Sequence, residues 1–154
     1  MDDIDRELLG LLLADGRATY QELAAKVRLS ANTTAERVRR LRRSGVISGY
    51  HAELDLAALD RSLVMITDIR LRDDVLSEEF QRGLTRVPQV IAAAHTTGEY
   101  DYQLRIACRD AAEFERVADQ LKRHHGVRES RSRLLLRELP LGVDRVLGLN
   151  SVDR

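Results

Sequence analysis

The spacing of apolar residues changes character near residue 61, and that change restricts the chain to a fold with two differently built parts. Before it, apolar residues recur at helical intervals. Ile4, Leu8, Leu11 and Leu12 share one helical face, and Leu23, Ala24 and Val27 share a second. Ala31, Thr34, Ala35, Val38 and Leu41 share a third. After it, runs rich in β-branched and aliphatic residues alternate with helical stretches.

Local signals divide the first half. Asp2, Asp3 and Asp5 favour the start of a helix through its dipole, and Asp15-Gly16 stops it. Thr19 to Glu22 is a capping box, in which the threonine caps and the glutamate reaches back. Arg28-Leu29 is a tight connection, and Ser30 caps a third helix that Gly45 closes. Three short helices with a tight turn between the last two form a helix-turn-helix pattern. Val46 to Leu54 reads as a strand, which gives the unit a winged-helix-like character, and Asp55 to Arg61 as a linker.

In the second half, Ser62 to Leu71 reads as a strand. Ser77 opens a helix with Phe80, Leu84 and Val87 on one face, and Pro88 ends it. Val90 to Thr97 and Tyr100 to Cys108 are two further strands around the turn Gly98-Glu99. Asp110 to Glu113 is another capping box, for a helix that buries Phe114, Val117, Ala118 and Leu121 and ends at Gly126. Val127 to Leu139 is the last strand. The order βαββαβ is a ferredoxin-like arrangement, so the fold class is α+β. The expected partition is a helix-turn-helix domain over 1–50, strand and linker over 51–61, a ferredoxin-like domain over 62–141, and a tail over 142–154.

Two helices cover one face of such a sheet. Val64 and Ile66 point to the other face, opposite Leu63, Met65, Ile69 and Leu71. A second subunit is the simplest cover, which predicts a homodimer, with shielding by the linker or the tail as the alternative.

Charge identifies a working surface. The chain has 25 basic and 25 acidic side chains. Yet Arg28 to Arg43 holds six arginines against the single acid Glu36. Positive charge gathered on one short capped helix is the footprint of an element that docks on double-stranded DNA, because counterion release depends on the local patch. Asn32, Thr33, Glu36, Arg37, Arg40 and Arg43 fall on the side opposite the apolar face. Asn32, Thr33, Glu36 and Arg37 lie in the first half of the helix, which approaches base edges. Arg39, Arg40 and Arg43 lie further along and suit phosphates, and the helix start at Ser30 can hold another. Glu36 is the only acid available to these arginines, through Arg39 or Arg40, so their mutual repulsion is expected to stand uncompensated.

Thr97, Gly98, Glu99, Tyr100 and Asp101 join two strands. Glycine exposes backbone N–H groups and a carboxylate can hold an α-amino group, which suits a zwitterionic amino acid. The same residues also fit an ordinary hairpin with solvated acids. His51, His95, His124 and His125 lack metal-ligand spacing, and Cys108, the sole cysteine, cannot form an internal disulfide. No nucleophile or companion base adjoins Glu99 and Asp101, so no enzyme and no cofactor are expected. The acidic start does not resemble a signal peptide, and no apolar stretch approaches the ~20 residues of a membrane helix, so a cytoplasmic location is expected.

Taken in order, these motifs resemble the Lrp/AsnC (feast/famine) transcriptional regulators. Asp2 to Leu9 with Asp15-Gly16-Arg17, Glu22 to Ala24 with Leu29-Ser30, and Thr33, Arg37, Val38, Arg40, Leu41, Gly45, Val46 and Ile47 are similar to that family's three helices and following strand. Thr97 to Asp101 resembles its glycine-acid loop, and Leu139 to Leu141 its usual ending. Thr34 departs from the pattern, where an apolar residue is commoner, and implies a packing change rather than altered readout. Glu99 stands for the commoner aspartate and keeps the sign of charge. The resemblance implies a sequence-specific DNA-binding regulator that responds to a small effector, commonly an amino acid, and whose dimers can assemble into octamers. An architectural DNA-wrapping protein of weak specificity is the related alternative. Some haem-biosynthesis decarboxylases resemble the same fold and use histidines of the second domain, where His95 is the only one on an expected strand, but the basic helix argues against that reading.

Overall fold

A computed structural model describes residues 1–139 and 141–148. Pro140, within the Leu139–Leu141 ending, and residues 149–154 of the tail lie outside the described residues. The chain divides into two compact units, Met1–Glu53 with the segment from Leu139 onward, and Leu54–Glu138.

The first unit holds α1 (Asp3–Ala14), α2 (Tyr20–Val27) and α3 (Ala31–Arg43). Their apolar faces meet at Leu8, Leu23, Val27 and Val38, with Ile4, Leu11, Leu12 and Ile47 packed around them. Capping residues set each start. Thr19 and Glu22 form the expected box, and Asp2 and Asp5 form a second one at α1. Arg28 takes the left-handed conformation at φ +56°, which ends α2 and lets Ser30 cap α3 two residues later. Thr34 is fully buried, and its hydroxyl oxygen finds no hydrogen-bond partner.

The strand expected over Val46 to Leu54 does not form. A strand needs a neighbour for its N–H and C=O groups, and the described part of this unit contains none. The Ile47 N–H instead donates to the carbonyl of Leu41, closing the turn after α3. Val46 to Tyr50 then lines an apolar groove of about 420 Å³ with Leu9, Leu12 and Leu13 of α1. The tail supplies the opposite wall through the 3-10 turn Val143–Leu147.

The second unit runs β1 (Leu63–Leu71), α4 (Ser77–Leu84), β2 (Val90–His95), β3 (Tyr102–Cys108), α5 (Ala111–His124) and β4 (Val127–Leu134). The strands form one antiparallel sheet in the order β2-β3-β1-β4, the ferredoxin-like topology. Ile69, Leu71, Tyr102, Leu104, Ile106 and Cys108 face α4 and α5, where they meet Phe80, Leu84, Val117 and Leu121.

Several boundaries are shorter than the sequence signals imply. β2 ends at His95 rather than Thr97, and β3 starts at Tyr102 rather than Tyr100, because the Thr96 N–H turns to the carbonyl of Asp101. β4 ends at Leu134, and α4 stops at Leu84 with Val87 beyond it. The N-cap of α4 is Leu76, since the Ser77 hydroxyl is engaged by the Tyr102 hydroxyl. At α5 Asp110 caps as expected, but Glu113 reaches past the cap to the N–H of Arg109.

Glu113 is the polar centre of this unit. It accepts two bonds from Arg61, at 2.7 and 2.6 Å, and one from Gln89 at 2.9 Å. The Arg109 N–H, Gln89 and Arg61 together hold its carboxyl down to about 2. The ordinary value is 4.5. The stability it contributes is therefore complete above that value and is lost as pH falls from there towards 2.

On the other sheet face Val64 is almost fully covered. The segment after β4 contributes: Leu135 donates to the Val64 carbonyl, and Glu138 forks the Arg105 guanidinium at 2.9 and 2.6 Å. These residues belong to the stretch expected as the end of the last strand, and are neither the linker nor the tail named as alternative covers.

Two outcomes test this packing. Glu113→Gln is expected to flatten the acid limb of a plot of unfolding free energy against pH below the ordinary glutamate range, while a limb identical to wild type would refute the role given to Glu113. Thr34→Val keeps the shape and removes the unsatisfied hydroxyl, so it is expected to raise stability by about 1 kcal/mol in denaturant titration.

Candidate DNA-reading helix and effector loop

Ser30 fixes the start of α3. Its hydroxyl oxygen accepts the N–H of Thr33 at 3.1 Å and meets the Thr33 hydroxyl at 2.8 Å. Beyond the cap, Asn32, Thr33, Glu36, Arg39, Arg40, Arg42 and Arg43 are exposed, whereas Thr34, Ala35, Val38 and Leu41 are buried. The division between a packed side and an open side follows the helical wheel.

The open side is sorted further by which acids the arginines meet. Arg37 turns back to α1 and donates to Asp2 at 2.7 Å and to Asp5 at 2.9 Å. Arg40 donates to both oxygens of Asp5, at 3.0 and 2.9 Å. The Asp5 side chain is only 2% exposed, so these bonds lie largely out of water. Arg43 and Arg39 instead share Glu36, at 2.7 and 3.5 Å, and all three are exposed. The expected uncompensated repulsion is therefore relieved at Arg37, Arg39, Arg40 and Arg43, while among the described residues no acid pairs with Arg42. Asp2 and Asp5 are far from α3 in sequence, and only the folding of α1 against α3 supplies them.

The electrostatics agree with the geometry. Burial pushes the Asp5 carboxyl up, but the bonds from Arg37 and from the Asp2 N–H outweigh it and leave it below the ordinary value. Hydrogen bonding from Arg37 lowers Asp2, and Arg43 lowers Glu36. The exposed Glu36 pairs are worth at most ~1 kcal/mol, whereas leaving the buried Asp5 unpaired would strand a charge. Two cations lie outside the residue set that the wheel selects. Arg28 stands exposed at the turn before α3, and the Arg42 guanidinium lies 5.9 Å from the Tyr50 ring centroid. Their signal is the charge count of the segment, which does not depend on the face they occupy.

The loop after β2 brings the five expected effector residues together. Gly98 adopts φ +113°, a conformation that side chains disfavour. Asp101 has one oxygen committed: it accepts the Leu71 N–H at 2.8 Å, and the Asp101 N–H donates to Ile69. Arg70 donates to the Glu99 carbonyl at 2.9 Å and lies 5.8 Å from the Tyr100 ring centroid. The Tyr100 hydroxyl donates to Glu129 at 3.3 Å. Burial, then Glu129, raises the Tyr100 phenol above its ordinary value. Thr97 and Glu99 are exposed.

Other candidate groups have local partners. His95 stacks on Tyr102 at 4.7 Å, and Cys108 is buried, which raises its thiol. Among the described residues no group of His, Cys, Asp and Glu could hold a metal ion, and no helix is long and apolar enough to cross a membrane.

A helix-turn-helix with one open cationic helix, joined in one chain to a ferredoxin-like unit, defines a two-part DNA-binding regulator. Comparison with known proteins agrees. Residues 1–42 match the AsnC-type helix-turn-helix domain, and residues 64–141 match the Lrp/AsnC ligand binding domain. The chain belongs to the Lrp/AsnC family of transcriptional regulators. It is 34% identical over 143 residues to the leucine-responsive regulatory protein of Escherichia coli strain K12, covering 90% of this chain and 87% of that protein. The crystal structure of a Neisseria meningitidis transcriptional regulator in complex with L-Met is similar at a TM-score of 0.84 and 30% identity, over 90% of this chain and 92% of that one. The leucine response regulatory protein of Mycobacterium tuberculosis is similar at a TM-score of 0.76 and 31% identity, over 94% and 97%.

Removing Arg37 leaves the buried Asp5 with Arg40 and the Asp2 N–H only. Arg37→Ala is expected to lower the unfolding free energy by about 1–3 kcal/mol in denaturant titration. A variant as stable as wild type would show that the Asp2–Asp5–Arg37 contact contributes nothing to holding α3.

Proposed function

We propose that the chain is a sequence-specific transcriptional regulator that binds double-stranded DNA through α3 and responds to an amino acid bound at the Thr97–Asp101 loop. The observation that carries this reading is the sorting of the arginines. Arg39 and Arg43 are held only by an exposed glutamate and exchange it for phosphates, while Arg37 and Arg40 position the helix. Asn32, Thr33 and Glu36 then stand as base readers, Arg39 and Arg43 as phosphate contacts, and the capped start at Ser30 as a further phosphate site. Arg40 is more than half exposed and also reaches phosphate from its place beside Asp5. Residues 1–50 thus form the DNA-binding part and residues 62–141 the effector-binding and oligomerisation part.

At the loop, the exposed Glu99 and the second oxygen of Asp101 suit an α-amino group, and the backbone around Gly98 suits a carboxylate. The L-Met complex of the Neisseria relative and the leucine-responsive name of the bacterial relatives support an amino acid as effector. The protein acts in the cytoplasm as a homodimer able to assemble further, with no enzymatic step and no cofactor. Exposed apolar residues at Ile91, Leu134 and Leu136 support self-association. A dimer places two copies of α3 about one DNA turn, ~34 Å, apart or a multiple of it.

Selection from a random duplex pool, followed by titration of the enriched and a scrambled duplex across salt concentrations, tests the reading. Asn32→Ala is expected to weaken the enriched duplex by ~1–3 kcal/mol and spare the scrambled one. Arg39→Ala with Arg43→Ala is expected to weaken both and to lower the salt slope by about two. L-Met or L-Leu is expected to alter the wild-type affinity and to lose that effect in Glu99→Gln. Failure to enrich any duplex would overturn sequence-specific binding, and a small specificity ratio with a steep salt slope would favour the DNA-wrapping reading.

A further inference from the structure

A second site stands out in residues 54–138 and shares no residue with the Thr97–Asp101 loop. A cleft of about 480 Å³ opens where the ends of α4 and α5 meet the turn after β1. Its lining holds Arg72, Arg82 and Arg86, together with His124 and His125, against the single acid Glu79. Arg72 lies 3.3 Å from Asp74, but among the described residues Arg82 and Arg86 form no ion pair. Three guanidiniums thus share one acid in the lining. Burial first, and then the neighbouring His124 and Arg86, push the His125 imidazole below its ordinary value.

The cleft is built by close backbone approach. Gly83 lies directly against the His125 ring, where a side chain would collide with it. Gly126, at φ +68°, lies against Val75, and its carbonyl accepts the Arg72 N–H at 2.9 Å. The arginines are therefore arranged around walls that the fold sets before any ligand arrives. Buried Phe80 and half-buried Val75 add an apolar patch.

We propose that this cleft binds a small phosphate ester carrying at least two negative charges, with Arg82 and Arg86 on the phosphoryl oxygens and His124 and His125 as further donors. Guanidinium forks match phosphate oxygens in pairs, and a multiply charged anion offsets the unpaired arginines. The volume is that of a small-molecule site and exceeds what a bare phosphate fills, so the ester's organic body has room against Val75 and Phe80. The concave arrangement favours a terminal phosphate over the convex backbone of a duplex. This inference does not rest on the amino-acid reading of the loop.

Isothermal titration of the full chain with inorganic pyrophosphate at neutral pH and low salt provides the test. Wild type is expected to show saturable binding at one site per protomer. Arg82→Ala with Arg86→Ala is expected to weaken it by roughly tenfold or more. Both arginines are exposed, and circular dichroism checks that the variant is folded. Absence of saturable binding to wild type, or equal binding to the Arg82/Arg86 variant, would overturn the proposal. So would an Arg82/Arg86 variant that loses affinity for random duplex DNA but not for pyrophosphate, because the patch would then be a DNA contact.

Discussion

The Asp5 carboxylate sits at the point on which the working half of this protein turns. It is buried, the Asp5 backbone N–H donates to Asp2 in the α1 cap, and the carboxylate oxygens accept from Arg37 and Arg40 of α3. A carboxylate removed from water is tolerated only when its lone pairs are filled. α1 and α3 therefore cannot slide or separate without stranding a charge. The contact ties α3 to α1 through the half-buried Arg37 and the exposed Arg40, and leaves Asn32, Thr33, Glu36, Arg39 and Arg43 on the open side.

The second unit uses the same device around a different centre. Glu113 collects Arg61, Gln89 and the Arg109 N–H, and so ties the approach to β1 to the start of α5. Both units thus place one buried carboxylate between elements that are distant in sequence and fill its bonds with arginine. The surface arginines differ from these in kind. Their partner Glu36 is exposed, so these pairs are weak and screened by salt, unlike the buried ones.

Much of this was legible in the residues. The change of apolar spacing near residue 61, the capping residues Thr19, Ser30 and Asp110, and the βαββαβ order all follow from periods and local hydrogen bonding, which neighbours along the chain decide. The exposed face of α3 and the loop at Thr97–Asp101 were readable for the same reason. The strand proposed for Val46 to Leu54 was not, because pairing requires a partner that composition does not reveal. The Asp2 and Asp5 partners of Arg37 and Arg40 were also hidden, since the pairs span 32 residues or more.

The sequence by itself determined the helical and stranded parts, the helix starts and the concentration of arginine on one short helix, all of which are local properties. Tertiary structure alone decided what those arginines do. It brought a carboxylate from α1 under Arg37 and Arg40, left Arg39 and Arg43 to an exposed partner, and gathered Arg72, Arg82 and Arg86 with two histidines around one cleft. The reason is that charge interacts through space: which charges meet depends on how the elements pack, and no period along the chain encodes it.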